Sequence, residues 1–336
     1  MAESPMRAKA AALCRKFPNT PNRTLARRLY NENKESFSNL EAARTLIRVI
    51  VGQKGKSRSA YVAPKHRVPK AAGKSGWVPE CPPSIAEPWE PVVLPTPARV
   101  LSLSDVHVPF HDQRAVEAAV KHGKAFNPTV VLCNGDIADF FTISRFLKDP
   151  KKRNLKGELD TVKEFLSWIR GQFPRAKIYY KLGNHEERWN HWLWNHGPEI
   201  CDLAEVQIAK LLDFERFRII EVGDNPILAG RLPILHGHEF GKSGIAAPVN
   251  PARGAFLRTL HSCLVGHLHR TSTHCEPDMF KSETTTWSQG ALCALSAEFA
   301  RINKWNHGAC CVEVARDGQF NVHNFRLNKD YTVRSA

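Results

Sequence analysis

The chain has 336 residues, of which 42% are hydrophobic and 24% are charged, as in folded proteins of aqueous compartments. No apolar run approaches the roughly 20 residues that a membrane span requires, and the N-terminus lacks the charged and then apolar pattern of a secretion signal. We therefore expect a cytoplasmic protein without a membrane segment, and the nine cysteines, which include no Cys-x-x-Cys pair, indicate free thiols.

The net charge of +15 is concentrated near the N-terminus. Residues 1–79 contain 17 Lys and Arg against 4 Asp and Glu, a net charge of +13, whereas the rest of the chain is close to neutral. A segment that basic usually binds a polyanion, most often nucleic acid. We expect residues 1–79 to contact nucleic acid. The alternative is a solvated tail, above all over residues 53–79.

Residues 1–52 are predicted to form a module of three helices. The first covers residues 8–17 and ends at Pro18. The second begins at Thr20-Pro21, an N-cap followed by proline at the first helical position, and runs to about Asn33. Leucines at helical spacing give this second helix an apolar face.

The third predicted helix covers residues 40–51. Ser38 and Glu41 form a capping box at its start, and Arg44 and Arg48 lie one turn apart within it. Three short helices with a basic last helix fit a helix-turn-helix module that binds DNA or RNA. The alternative is a small bundle that docks on the rest of the chain or on another protein.

Residues 53–96 have the composition of a linker. They are rich in Lys, Ser, Gly, Ala and Pro, and no hydrophobic periodicity is present. We therefore expect the second domain to cover residues 97–336.

After residue 97, predicted strands alternate with predicted helices, which is typical of an α/β domain. The predicted strands cover residues 99–104, 129–133, 177–182, 217–222, 231–235, 262–265, 309–315 and 320–325, and the last two form a hairpin. The predicted helices cover residues 113–126, 158–172, 198–212 and 252–260. Strands 217–222 and 231–235 are expected to pair with each other.

Five short motifs that contain Asp, His and Asn directly follow predicted strands. They are Asp105-Val106-His107, Gly135-Asp136 with Asp139, Gly183-Asn184-His185-Glu186, His236-Gly237-His238 and Gly266-His267-Leu268-His269. The carboxyl ends of the strands are where an α/β sheet places its functional side chains. Carboxylate and imidazole groups favour divalent ions such as Mn²⁺, Fe²⁺ or Zn²⁺. The five motifs therefore predict a metal-dependent hydrolase.

The chemistry of the side chains suggests their parts in such a site. Two ions about 3.5–4 Å apart can bind a phosphate group and activate a water molecule. Asp136 could bridge two ions with its two oxygens, and Asn184 offers a neutral carbonyl oxygen. In the fourth motif, His236 is preferred to His238 as a ligand because it follows the strand directly.

The order of these motifs resembles the calcineurin-like metallophosphoesterase superfamily, whose pattern is D-x-H, G-D-x-x-D, G-N-H-D/E, a later His and G-H-x-H. The resemblance covers about residues 97–327. It implies a two-sheet β-sandwich flanked by helices, here preceded by a small helical domain. It also implies two divalent metal ions at the strand ends, Mn²⁺ being expected and Fe, Zn or Ni being the alternatives.

The resemblance also assigns roles to residues. The first ion would be held by Asp105, His107, Asp136 and His269, and the second by Asp136, Asn184, His236 and His267. His185 matches the unligated histidine that contacts the phosphate and can protonate the leaving oxygen. Glu186 would orient or charge-stabilise that imidazole, and Asp139 would support the ligands without being one.

The sequence leaves the substrate open. Phe140 and Leu182 stand where Ser/Thr protein phosphatases usually have arginine, which disfavours that branch. The last two motifs are more similar to the phosphodiesterase and nuclease-related branches. We expect a phosphodiesterase, nuclease or phosphatase that is associated with nucleic acid. The alternatives are a hydrolase of a small phosphoester or phosphoprotein, and a DNA-binding regulator with a structural metal site.

Overall fold

The structure, a computed structural model, describes residues 4–54, 81–86, 89–145, 151, 153–241, 249–296 and 302–335. These residues fall into two compact units, one within Met1–Ala86 and one within Glu87–Ala336. Most of the expected linker lies outside the described residues. None of the helices in the described ranges combines the length and the apolar character that a membrane crossing requires.

The first unit contains the helices α1 (Pro5–Lys16), α2 (Asn22–Glu32) and α3 (Leu40–Ile50). Their shared core consists of Ala10, Leu25, Ala26, Leu29 and Ile47. The predicted helices are therefore present, but two predicted start signals are wrong. Asn39, not Ser38, caps α3, because its side chain accepts a hydrogen bond from the Ala42 N–H. The second helix begins after Pro21, which takes the cap position predicted for Thr20.

The second unit contains two β-sheets with helices beside them. Its strands are β1 (Val92–Val93), β2 (Ala98–Leu103), β3 (Val130–Asn134), β4 (Lys177–Lys181), β5 (Ile219–Gly223), β6 (Ile227–Ala229), β7 (Leu232–Leu235), β8 (Cys263–Val265), β9 (Ser272–Pro277), β10 (Glu283–Ser288), β11 (Gly308–Val314), β12 (Phe320–Leu327) and β13 (Val333–Ser335). Its α-helices are α4 (Gln113–Phe126), α5 (Leu155–Gln172), α6 (Glu187–His196), α7 (Ile208–Leu211), α8 (Phe214–Phe217) and α9 (Pro251–Thr259). The strand orders are β13-β12-β11-β2-β3-β4-β5 and β1-β6-β7-β8-β10-β9.

The two sheets pack face to face because successive strand residues point to opposite sides. Val100 of β2 and Leu132 of β3 share a core with Ile234 and Leu264 of the other sheet. Their chain neighbours, such as Leu101, pack against the core that α4 and α5 contribute on the outer face. Burial of each such side chain contributes about 1.5–3 kcal/mol. The domain is the expected two-sheet sandwich flanked by helices.

Three predictions for this domain are wrong in detail. β5 and β7 do not pair, because β5 continues the first sheet beside β4, and β6, a strand that was not predicted, forms a hairpin with β7. The helix expected over residues 198–212 is broken into two 3₁₀ turns and the short α7. The domain also begins before residue 97, because β1 pairs with β6.

The strand directions bring the carboxyl ends of five strands together. β2, β3 and β4 run parallel, so the residues that follow them lie at one edge of the first sheet. β7 and β8 also run parallel in the second sheet. The five motifs follow these five strands.

Candidate metal centre

The structure gathers the predicted ligands into two groups that share one residue. In each group, the potential ligand atoms all lie within 4.8 Å of one another. The first group is Asp105, His107, Asp136 and His269, and the second is Asp136, His236 and His267. Six of the seven predicted ligands are thus brought together, and Asp136 belongs to both groups.

Several nitrogen and oxygen atoms in these groups face one another directly. The Nε2 atoms of His107 and His269 are 3.2 Å apart, and His269 Nε2 is 3.1 Å from Asp105 Oδ1. His236 Nε2 is 3.3 Å from Asp136 Oδ2. Such a cluster of lone pairs is stable only when protons or a cation lie between the atoms.

Electrostatics favour positive charge at two of the histidines. Burial opposes protonation of His236, but the Asp136 carboxylate outweighs it and raises the pKa of this imidazole to about 10. At His269, the Asp105 carboxylate likewise outweighs burial and raises the pKa to about 10. Metal ions displace such protons when they bind, so the same field that holds these protons would hold divalent cations.

Two of the predicted ligands have buried polar atoms that need a partner. In the described part of the chain, Asn184 Oδ1 and His267 Nδ1 are buried without a hydrogen-bond partner. Buried polar atoms are normally paired, and exceptions are often explained by an ion or a water molecule. Asn184, the seventh predicted ligand, lies between Gly183 and His185 in the loop that contacts Asp136. These residues fit a metal centre.

The backbone at the ligands adopts an unusual conformation. Asp105, His107, Asp136, His267 and His269 have φ values of 55°, 53°, 52°, 66° and 53°. Left-handed backbone is uncommon for residues other than glycine and costs on the order of 1 kcal/mol or more. The strained turns direct the side chains that follow each strand into one site.

Hydrogen bonds behind His236 fix its ring and its loop. His236 Nδ1 donates to the Asn134 carbonyl at 2.8 Å, which leaves Nε2 as the nitrogen that could bind a metal. Glu239 accepts hydrogen bonds from the N–H groups of His236 and Gly237. Its carboxylate lies 2.9 Å from Nζ of the fully buried Lys181. Although burial alone raises the pKa of Glu239, Lys181 lowers it to about 2.

His238, the alternative ligand of the fourth motif, lies outside both groups. Its Nε2 is 2.8 Å from Glu187 Oε1. The structure therefore places His236, and not His238, beside Asp136.

The hydrogen bonds of Glu186 do not go to the His185 ring, which Glu186 was predicted to orient or charge-stabilise. Glu186 is fully buried, and its Oε2 accepts hydrogen bonds from the N–H groups of Asp136 and Gly183. Its Oε1 accepts from two more backbone N–H groups and from a tyrosine hydroxyl, contributed by Ile137, Ala138 and Tyr180. Glu186 therefore ties the loop after β3 to the loop after β4. The reason is geometric: its side chain enters the protein core beneath the site.

Asp139 makes the contact with His185 that was expected of Glu186. Its Oδ1 lies 2.8 Å from His185 Nδ1 and 2.9 Å from His107 Nδ1. Burial raises the pKa of Asp139, but the hydrogen bonds of the two imidazoles outweigh burial and lower it below its usual value. One ionised carboxylate thus orients both a predicted ligand and the predicted acid.

His185 lies against the shared carboxylate. Its backbone N–H donates to Asp136 Oδ1 at 2.9 Å, and its Nε2 is 3.8 Å from Asp136 Oδ2. Burial opposes protonation of the imidazole, but Asp136 and then Asp139 outweigh burial and raise its pKa. Arg188 Nη2 lies 2.8 Å from Nε2. A guanidinium only donates hydrogen bonds, so this contact requires an unprotonated Nε2 and places the ring proton on Nδ1. The raised pKa, in contrast, favours a ring that is protonated on both nitrogens.

Gly183 permits the close approach of the two loops. A Cβ atom at this position would overlap the side chain and the backbone nitrogen of Asp136. We expect Gly183→Ala to displace Asp136 and to weaken metal binding about 10–100-fold. Isothermal titration of the metal-free variant with Mn²⁺ measures this, and Gly171→Ala is the control, because a Cβ on Gly171 meets no atom within 4 Å. Equal Mn²⁺ affinity of the two variants would contradict the expectation.

The family model described as calcineurin-like phosphoesterase matches residues 98–278, more than half of the chain. The chain belongs to this family. It is a metal-dependent phosphoester hydrolase.

Two curated relatives come from bacteriophages. The Gene 54 protein of Mycobacterium phage L5 is 27% identical over 177 residues, which are 51% of this chain and 69% of the relative. The Gene 54 protein of Mycobacterium phage D29 is 26% identical over 177 residues, with the same shares of 51% and 69%. Among solved structures, Vps29 from Chaetomium thermophilum matches with a TM-score of 0.34 and 14% identity, covering 71% of this chain and 95% of that chain.

Sequence reasoning missed several residues that support this phosphoesterase site. Lys181 and Glu239 stand behind His236, and Arg188 contacts His185. Ser104 Oγ lies 2.6 Å from Asp105 Oδ2. A signal was available for some of them, since Ser104, Arg188 and Glu239 stand within three residues of a motif. Lys181 stands two residues before the third motif, but nothing in the local sequence indicates its partner Glu239, which is 58 positions away.

Proposed function

We propose that this protein is a dinuclear phosphodiesterase that acts on nucleic acid, with Mn²⁺ as its most suitable metal. The membership of Asp136 in both groups of ligand atoms is the observation that supports two ions most directly. Carboxylate, imidazole and amide ligands together suit Mn²⁺. The departures at Phe140 and Leu182 from the protein phosphatase pattern favour a diester over a phosphoprotein.

The ligand sets follow from the two groups. Asp105, His107, Asp136 and His269 would hold the first ion, and Asp136, His236 and His267 the second. Asn184, whose buried Oδ1 has no hydrogen-bond partner among the described residues, would join the second set. When bound, two such ions would offset negative charge on the phosphate and make water a stronger nucleophile. His185 would give its proton to the leaving oxygen, and Asp139 would hold the ring in place.

The role of general acid leads to a specific prediction for His185. We expect His185→Ala to keep its metal content and to lower kcat by about 10²–10⁴-fold. The loss should be larger for an alkyl leaving group than for a nitrophenolate, which leaves without a proton. Steady-state kinetics with both esters and metal analysis by mass spectrometry test this. His196→Ala, an exposed histidine at the end of α6, is the control. An equal loss with both leaving groups would contradict the acid role.

The first unit supplies the argument for nucleic acid. Arg23 and Arg27 are exposed and lie one turn apart on α2. Arg28 and Arg44, in contrast, are each paired with a glutamate of their own helix, at 2.9 and 3.3 Å. Two exposed guanidinium groups available to phosphates are therefore on α2, whereas the sequence favoured the last helix.

This assignment predicts the effect of reversing the charge on α2. Arg23→Glu combined with Arg27→Glu should weaken DNA binding. The slope of log Kd against the logarithm of the salt concentration should decrease by about two, one for each lost phosphate contact. Hydrolysis of a small bis-aryl phosphate should not change. Fluorescence anisotropy across a salt series measures the slope. The control is Arg316→Glu with Lys329→Glu, which reverses two exposed charges of the second unit. The same slope in both variants would exclude α2 as the contact.

The substrate class is tested by an activity panel. The Mn²⁺-reconstituted protein is compared on a bis-aryl phosphate, an aryl monophosphate, cyclic nucleotides, and single- and double-stranded DNA. We expect diesters and DNA to be hydrolysed faster than the monoester. Hydrolysis of the monoester alone would replace the proposal with a phosphatase of small phosphoesters.

A further inference from the structure

Arg188, the second residue of α6, lies beside the candidate acid. Its Nη2 is 2.8 Å from His185 Nε2, and its Nη1 donates to the Asp139 carbonyl at 3.0 Å. The nearest recorded carboxylate oxygen, Asp139 Oδ2, is 3.9 Å away, which is too long for a hydrogen bond. The side chain is 20% exposed. The guanidinium thus lies at the accessible side of the site and, among the described residues, has its ion-pair partner Asp139 only at this longer distance.

Arg188 has donors to spare. A guanidinium carries five N–H donors, and the contacts within the described residues engage two of them. The partners are a carbonyl oxygen and an imidazole nitrogen, both of which are neutral acceptors in this arrangement. A guanidinium forms its strongest pairs with anionic oxygens, because both partners are then charged and two parallel N–H donors can be used at once. A phosphate oxygen at this position would therefore displace the imidazole as the partner of Arg188.

We propose that Arg188 is a substrate-binding residue that exchanges His185 Nε2 for a non-bridging oxygen of the phosphate. In the free protein, the guanidinium covers the nitrogen that is to face the leaving oxygen. When the phosphate binds, Arg188 moves to the anionic oxygen and uncovers Nε2, which then takes up from water the proton that it gives to the leaving oxygen. The exchange rests on the proposed function, because it requires the substrate phosphate to lie beside His185.

A double-mutant cycle separates this role from simple orientation of His185. The affinity of inorganic phosphate is measured by calorimetry in the Mn²⁺-loaded wild type and in Arg188→Ala, His185→Ala and the double variant. A lost charge-assisted contact should weaken phosphate binding about 10–100-fold. We expect this loss on the wild-type background and again on the His185→Ala background. Arg188→Lys should recover part of the affinity, because it restores the charge but not the planar pair of donors.

Each outcome decides the question. If the effect of Arg188→Ala disappears in the absence of His185, the arginine acts only through the imidazole and the proposal is wrong. If the wild type itself fails to bind phosphate, both the proposed function and the proposal for Arg188 are wrong. Metal content of each variant is measured in parallel and should remain that of the wild type. Arg316→Ala, an exposed arginine in the β11–β12 turn, is the matched control. It lies near the strand ends opposite the site, since Val314 pairs with Ala98 at the start of β2.

Discussion

Asp136→Asn is expected to abolish phosphoester hydrolysis. The substitution keeps the shape of the side chain and the oxygen that accepts the His185 N–H, but it removes the charge that both groups of ligand atoms share. A metal centre contributes several kcal/mol to the stabilisation of a transition state. We therefore expect kcat/KM to fall by about 10³-fold or more.

The number of bound metal ions shows whether Asp136 bridges two of them. Metal analysis of dialysed protein should find two Mn²⁺ ions in the wild type and one or none in Asp136→Asn. The control is Asp317→Asn, an exposed carboxylate in the turn after β11, which should behave as the wild type. Two bound ions together with normal turnover in Asp136→Asn would exclude the bridge.

Glu186→Gln is expected to destabilise the whole domain. Each carboxylate oxygen of Glu186 accepts from at least two N–H groups. Either orientation of the glutamine amide therefore turns an NH₂ group toward two backbone donors. Each lost buried hydrogen bond costs about 1–3 kcal/mol, so the expected loss is about 2–6 kcal/mol. For a domain of this size that lowers Tm by roughly 5–20 °C.

Thermal unfolding of the metal-free protein distinguishes this role from catalysis. If Glu186 merely oriented His185, Glu186→Gln would unfold at the wild-type temperature and lose only turnover. Glu158→Gln is the matched control, because this buried glutamate accepts one backbone N–H on each oxygen, from Phe141 and Thr142. Its glutamine can keep one of these hydrogen bonds, so we expect a smaller decrease in Tm.

Local patterns account for the success of much of the sequence analysis. The run before Asp105 and the run before Asp136 are apolar and β-favouring, and both are buried parallel strands. Helix α4 has the predicted bounds because Asp112 caps it and Asn127 ends it in the left-handed conformation. Such signals lie within a few residues of the element that they specify.

Long-range contacts account for the wrong strand pairing. β5 and β7 were predicted to pair because the two predicted strands follow one another along the chain. In the structure, β5 pairs with β4 in the first sheet, and β7 pairs with β6 in the second. Asn39 replaced Ser38 as a cap although the two residues are neighbours with similar propensities. The strand pairing is therefore decided by the rest of the fold, whereas the cap of α3 is a choice between two neighbouring residues, with Asn39 making the local hydrogen bond to Ala42.

The sequence by itself determined the chemical groups of the site and the edge of the sheets at which they lie. Both follow from short-range rules, because Asp, His and Asn come directly after strands, and parallel strands end at a common edge. Only the tertiary structure decided which side chains hold the predicted ligands and the candidate acid in place. Asp139 reaches His185 across 46 positions and Glu186 turns into the core, since the direction of a side chain depends on the packing of both loops. The same packing places Arg188 over the candidate acid.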